Sequence, residues 1–204
     1  MEVLQWIFAV FAIIGAFDRI IGNKLKLGEE FEKGKTSTVS TSACGLCCAV
    51  MMADQLIPNC TFELTDAIDL SYATKSNQNR GTDYRTYAPA LAEKLDLRYE
   101  VGHDLADLHR CLQSGGVVVA HVHGAKDGRE GTFSHGGHYI LVIGYEADGR
   151  LAILDPALEP GRYDIPERRD KVELKYGYLV VAHDQSLYED RSLKRPPYHL
   201  FWRN

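Results

Sequence analysis

Gly136-Gly137-His138-Tyr139-Ile140-Leu141-Val142-Ile143-Gly144-Tyr145, followed after Asp148-Gly149 by Leu151-Ala152-Ile153-Leu154-Asp155-Pro156, is the stretch that decides the fold. Both apolar runs are β-rich, and the Asp-Gly between them is a hairpin signal. A two-residue turn at Asp148-Gly149 pairs Val142 with Asp155 and leaves His138 four residues away on the same sheet face, roughly 13 Å off at about 3.3 Å per residue. Pairing Asp155 directly with His138 instead sets Tyr145 opposite Asp148. Bringing the imidazole and the carboxylate together therefore requires a bulge or a shifted turn.

Outward from this hairpin, Val117 to His123 and Tyr176 to Ala182 read as further strands, with Gly, Pro and Asp-Gly signals between the runs. The aromatic end, Tyr198-His199-Leu200-Phe201-Trp202, would be a sticky exposed patch, so it is expected to dock as a final strand or core plug. The first half has a different period. Cys44, Cys47, Cys48, Met51, Met52 and Gln55 fall at spacings of three and four, with Ser42 as an N-cap and Pro58 as a stop. Helices are also expected near residues 62 to 73, 83 to 95 and 104 to 113, the last closed by Gly115-Gly116. Helices first and strands afterwards predict an α+β domain with a mostly antiparallel sheet.

The 204 residues, 45% of them hydrophobic, suffice for one globular domain with an appendage. The predicted organisation is an apolar helical leader over residues 1–34, a polar Ser/Thr linker over 35–41 and the α+β domain over 42–204. A net charge of -5 repels nucleic acid. Three of the five cysteines lie within one helical turn, where no disulfide framework can be built, so reduced thiols are expected.

Residues 3 to 17 form an apolar run interrupted only by Gln5. As a helix it spans roughly 22 Å, short of the about 30 Å hydrocarbon core. The Met1-Glu2 start and the Phe17-Asp18-Arg19 exit argue against a cleaved secretory signal. Two readings stay open: a short anchor that gives membrane contact, or a helix docked on its own domain or on another copy. The expected location is accordingly cytoplasmic or membrane-associated.

Gly15-Ala16-Phe17-Asp18-Arg19-Ile20-Ile21-Gly22-Asn23 and Leu27-Gly28-Glu29-Glu30-Phe31-Glu32-Lys33-Gly34 resemble the first segment of the ethanolamine-utilisation membrane permease family. No other stretch approaches twenty apolar residues. The resemblance therefore implies membrane contact by the leader, not transport.

Cys44 at a helix start, His138 at a strand start and Asp155 at a strand end are the parts of a nucleophilic site. The half positive charge and unpaired N–H groups of a helix N-terminus favour thiolate and can hold an oxyanion. His138, in a buried strand behind two glycines, suits a general base, and Asp155 would fix its tautomer. The plain alternative is a small buried cysteine and a hydrogen-bonded histidine at a strand mouth.

These motifs, in this order, are similar to the papain-like C39 peptidase clan, especially its C39-like branch common in Gram-positive bacteria. That resemblance implies a papain-like fold and a cysteine peptidase or amide hydrolase acting on a peptide or protein substrate, with no metal or organic cofactor. It makes Cys44 the nucleophile, His138 the acid and base, and Asp155 the orienting carboxylate. The clan's oxyanion glutamine has Thr38 in its place, with the Cys44 N–H as the other donor, and its Cys-Gly-Pro is Cys44-Gly45-Leu46 here. A hydroxyl donor, weakened turnover and an inactive peptide-binding shell all remain open. From another class, His121, His123, His135 and His138, completed by Asp127 or Asp155, could form the site of a metal-dependent hydrolase.

Overall fold

The computed structural model describes residues 43–78, 81–124 and 130–204, together with the backbone of residues 32–33 and 37–38. The apolar leader, most of the linker, the Ser42 cap and Asp127 lie outside the described residues. Two short ladders, β1 (Glu32–Lys33) with β2 (Ser37–Thr38) and β3 (Asn77–Gln78) with β4 (Gly81–Thr82), stand apart from the main sheet.

Three helices come first: α1 (Cys44–Leu56), α2 (Leu64–Ala73) and α3 (Tyr84–Leu95). The main sheet is built from β5 (Leu97–Gly102), β6 (Val117–His123), β7 (Gly137–Tyr145), β8 (Leu151–Leu154), β9 (Val172–Lys175), β10 (Leu179–Ala182) and β11 (Tyr198–Arg203). Helices α4 (Leu105–Gln113), α5 (Pro166–Arg169) and α6 (Asp184–Asp190) fall between strands. The seven strands run in the order β5-β11-β6-β7-β8-β10-β9, and each neighbouring pair is antiparallel.

The expected papain-like α+β arrangement, helices first and sheet afterwards behind an apolar N-terminal helix, is corrected here. The sheet is a wholly antiparallel layer covered on both faces. Helices α1 and α3 pack on one face, with α2 against them, where Leu46, Met52, Tyr84, Tyr87 and Leu91 meet Val117, Val119, Tyr139, Leu141 and Phe201. Helices α4 and α6 pack on the other, where Leu108, Leu112 and Leu187 meet Val118, Val122, Ile140, Val142, Ile153, Val180 and Leu200. Two covered faces explain why β6 reads Val117-Val118-Val119-Ala120 without polar alternation. Each such fully buried aliphatic side chain contributes about 1.5–3 kcal/mol. Among the described residues no helix is long and apolar enough to cross a membrane.

The aromatic C-terminus docks as the strand β11, and it does so inside the sheet, between β5 and β6. The apolar stripe of α1 lies one residue off the expected set: Leu46, Cys48, Ala49, Met52, Ala53 and Leu56 are buried, while Gln55 is exposed. The run Tyr176 to Ala182 is half turn. Tyr176 and Gly177, at φ 57° and 75°, make the tight corner between β9 and β10.

Candidate functional site

Helix α1 begins at Cys44, and its N-cap, Ala43, offers no side chain to the first turn. The positive end of the helix dipole therefore stands at a half-buried thiol. Tyr84, at the start of α3, sets the position of this turn: its hydroxyl donates to the Gly45 carbonyl at 2.6 Å. A Cβ on Gly45 would stand 2.9 Å from the Tyr84 ring, so glycine is what lets the two helices approach here.

His138 and Asp155 meet because the β7–β8 hairpin carries a bulge. Tyr145 pairs with Leu151 and Gly144 with Ala152, but Val142 pairs with Ile153, so Ile143 has no partner. Leu141 then faces Leu154, and continuing the ladder sets Asp155 opposite Ile140, two residues from His138 on the same face. The turn is shifted by one residue, with Tyr145 on Leu151 where a two-residue turn would set it on Ala152, and the bulge adds a second. Gly144, at φ 156°, occupies the bulge. Neither Gly136 nor Gly137 has a positive φ, so the pair before His138 gives room, not an unusual backbone conformation.

His138 Nε2 lies 2.7 Å from Asp155 Oδ1, with both side chains almost wholly buried. The ring also hydrogen-bonds Cys44. With Nε2 committed to Asp155, Nδ1 is the atom left for the sulfur. Burial alone would drive the proton off the ring, but the hydrogen bonds to Asp155 and Cys44, and their negative charges, outweigh it and raise His138 to about 9. Asp155 moves the other way. Burial would raise it, yet the His138 and Tyr163 hydrogen bonds and the Arg162 charge hold it at about 2. An imidazolium has two N–H donors, and each faces an anion or a sulfur here.

Arg162 and Tyr163, which sequence reasoning did not single out, complete the surroundings of the carboxylate. Arg162 Nε donates to Oδ2 at 2.8 Å and the Tyr163 hydroxyl donates to the same oxygen at 2.6 Å. They follow Asp155 by seven and eight residues through an irregular Pro/Gly segment, where no periodicity marks them. Tyr84 falls within the helix expected near residues 83 to 95, where nothing local marks the partner of its hydroxyl.

The histidine set does not assemble. His121 stacks on Tyr139 with ring centroids 4.5 Å apart, and burial lowers it to about 4. His123 is exposed, and His135 projects into solvent beside Glu130 at 2.7 Å. Among the described residues no group of three or more potential ligands could hold a metal ion. Thr38 lies in the short strand β2, and its side chain is outside the described residues.

An antiparallel sheet clad by helices on both faces, with a helix-start thiol joined to an imidazole and a buried carboxylate, defines a thiol–imidazole–carboxylate domain. The chain belongs to the family described as ethanolamine utilisation protein, EutH, which it matches over residues 1–119. That match runs well past the leader that carries the resemblance in the sequence, through α1 and Cys44 to the start of β6, and stops before His138 and Asp155. No curated protein matches the chain.

The family membership corrects the functional reading of the sequence. The chain falls with ethanolamine utilisation proteins and no peptidase family matches it, so cysteine peptidase, thiol protease and amide hydrolase are withdrawn. The metal-dependent hydrolase goes with them, since its histidines diverge, and the inactive peptide-binding shell goes with the papain-like fold.

Proposed function

We propose that this chain acts in ethanolamine utilisation as an enzyme whose described domain transfers an acyl group through a thioester on Cys44. The observation that carries this reading is the Cys44–His138–Asp155 chain, with a ring held protonated at neutral pH beside the sulfur. Such a pair is an activated nucleophile.

In the first step the Cys44 sulfur attacks the carbonyl of an acyl thioester donor. The new S–C bond forms, the donor's thiol leaves, and it takes its proton from His138. In the second step the amine of ethanolamine, the compound in the family's description, attacks the enzyme thioester. His138 accepts a proton from the amine, the S–C bond breaks, and Cys44 returns as the partner of an imidazolium. The start of α1, whose dipole favours negative charge, is the proposed holder of the oxyanion in both steps. Asp155 stays ionised throughout and orients the ring. The leader at residues 3–17 is proposed to contact a membrane; full-length chain should sediment with lipid vesicles, and a chain that stays in the supernatant contradicts that part.

The test is intact-protein mass spectrometry after incubation with an acetyl thioester. The expected result is one acetyl adduct on Cys44, absent from Cys44→Ala and discharged by ethanolamine to the N-acyl product. Absence of an adduct, or an adduct indifferent to ethanolamine, overturns the reading.

A further inference from the structure

Asp155 accepts four hydrogen bonds: His138 Nε2 at 2.7 Å and the Ala157 N–H at 2.9 Å on Oδ1, Arg162 Nε at 2.8 Å and the Tyr163 hydroxyl at 2.6 Å on Oδ2. A carboxylate has about four lone-pair sites, so this one is saturated. Its side chain is fully buried, where a charge without partners would be strongly destabilising.

Two of the four donors lie on the side away from the imidazole and draw charge from it. Arg162 brings a full positive charge, and its Nη2 also donates to the Phe133 carbonyl at 2.9 Å. Arg168, itself buried, fixes this arrangement by donating to the carbonyls of Gly131 at 2.9 Å and Arg162 at 3.2 Å. The segment after β8 is thereby stapled to the segment that leads into His138.

We infer that Arg162 and Tyr163 are positioning residues that share the charge of Asp155, and so set how tightly His138 holds the proton it must give up in the acyl-transfer step. This rests on the proposed function for its chemistry, but its readout does not. A carboxylate balanced by a guanidinium and a phenol pulls less on the imidazolium than a bare one. The ring then stays protonated beside Cys44 yet can still release the proton to a leaving group. The titratable and charged groups facing Asp155 are His138, Arg162, Tyr163 and, from α1, Cys48. Cys48 is fully buried with its thiol pushed far up, so it adds no charge. Cys44 and His121 face His138.

The experiment follows the His138 ring by NMR across pH in the parent, Tyr163→Phe, Arg162→Gln and Arg162→Lys, alongside the pH profile of Cys44 alkylation by iodoacetamide. Removing a donor leaves more charge for the ring, so the His138 midpoint should move up in Tyr163→Phe and further up in Arg162→Gln. Arg162→Lys should restore it towards the parent value. A merely structural role predicts lower melting temperatures with unmoved midpoints, and that result overturns the inference. Tyr163→Phe keeps the ring and its packing, so the test survives if Arg162→Gln does not fold. A parent ring that never titrates above its ordinary range defeats the thiolate–imidazolium reading itself. A raised parent midpoint with unmoved variants defeats only the inference.

Discussion

Asp155 decides the protonation of His138, and two substitutions isolate its part. Asp155→Asn keeps the shape and removes the charge, so the His138 midpoint should fall from about 9, because burial then acts with less opposition. Each unit of fall is about 1.4 kcal/mol lost from the charged pair. Alkylation of Cys44 at neutral pH should slow in the same variant, read by the rate of iodoacetamide labelling, and an unchanged rate would separate the sulfur from the ring. Tyr84→Phe makes a complementary test in the first turn of α1. It leaves the Gly45 carbonyl without its 2.6 Å donor in a buried place, at a cost of about 1–3 kcal/mol in denaturant unfolding. Cys44, His138 and Asp155 could be picked from the sequence because each sits at the end of a strongly patterned run. Arg162, Tyr163 and the Tyr84 hydroxyl could not, because their partners are set by tertiary placement, which no local pattern encodes.

At the scale of elements, the bulge at Ile143 and Gly144 carries the most consequence. With the turn already shifted by one residue, it moves Asp155 from opposite Leu141 to opposite Ile140, onto the face of His138, where the two side chains meet at 2.7 Å. Deleting Ile143 should close the bulge and keep Val142 opposite Ile153, so the His138 midpoint should hold at its parent value; a fall would show that the bend of the bulge, and not the register alone, joins the pair. The need for a bulge or a shifted turn could be read from residue counts alone, and the hairpin has both. A second element-scale feature could not: the chain on either side of residues 125–129 comes together at Gly124 and Gly131. A Cβ on Gly131 would lie 2.2 Å from the Gly124 Cα and from the Ser134 carbonyl oxygen. Gly131→Ala should therefore destabilise by about 1–3 kcal/mol in thermal or denaturant unfolding, through forced backbone movement.

Across the whole molecule, helices α1 to α4 and the strands β6, β7, β8, β10 and β11 were legible, whereas β5, β9 and the layering were not. Periodicity identifies an apolar face but not which neighbour covers it. The insertion of β11 between β5 and β6, and the covering of the second face by α4 and α6, depend on contacts far apart in sequence. Global stability should carry the signature of four titratable groups, three of them buried and His121 half-buried. His138, raised to about 9, contributes fully below its ordinary value near 6.5 and loses that contribution as pH rises through 9. Asp155, lowered to about 2, contributes fully above about 3.8 and loses it as pH falls through 2. His121 and His199, lowered by burial to about 4 and about 3, act in the opposite sense to His138: their contribution is whole above 6.5 and is lost as pH falls below it. Unfolding free energy should thus peak near pH 6.5 and decline on both sides, and Asp155→Asn should flatten the alkaline side while leaving the loss between pH 6.5 and 4 in place.

The account rests on a protonated ring standing between an ionised carboxylate and the sulfur of Cys44, and heteronuclear NMR of the His138 side chain reads that state directly. The ring is expected to remain protonated through neutral pH, to titrate near 9, and to titrate lower in Cys44→Ala. A His138 ring already neutral at pH 7, or one whose midpoint ignores the loss of Cys44, would contradict it.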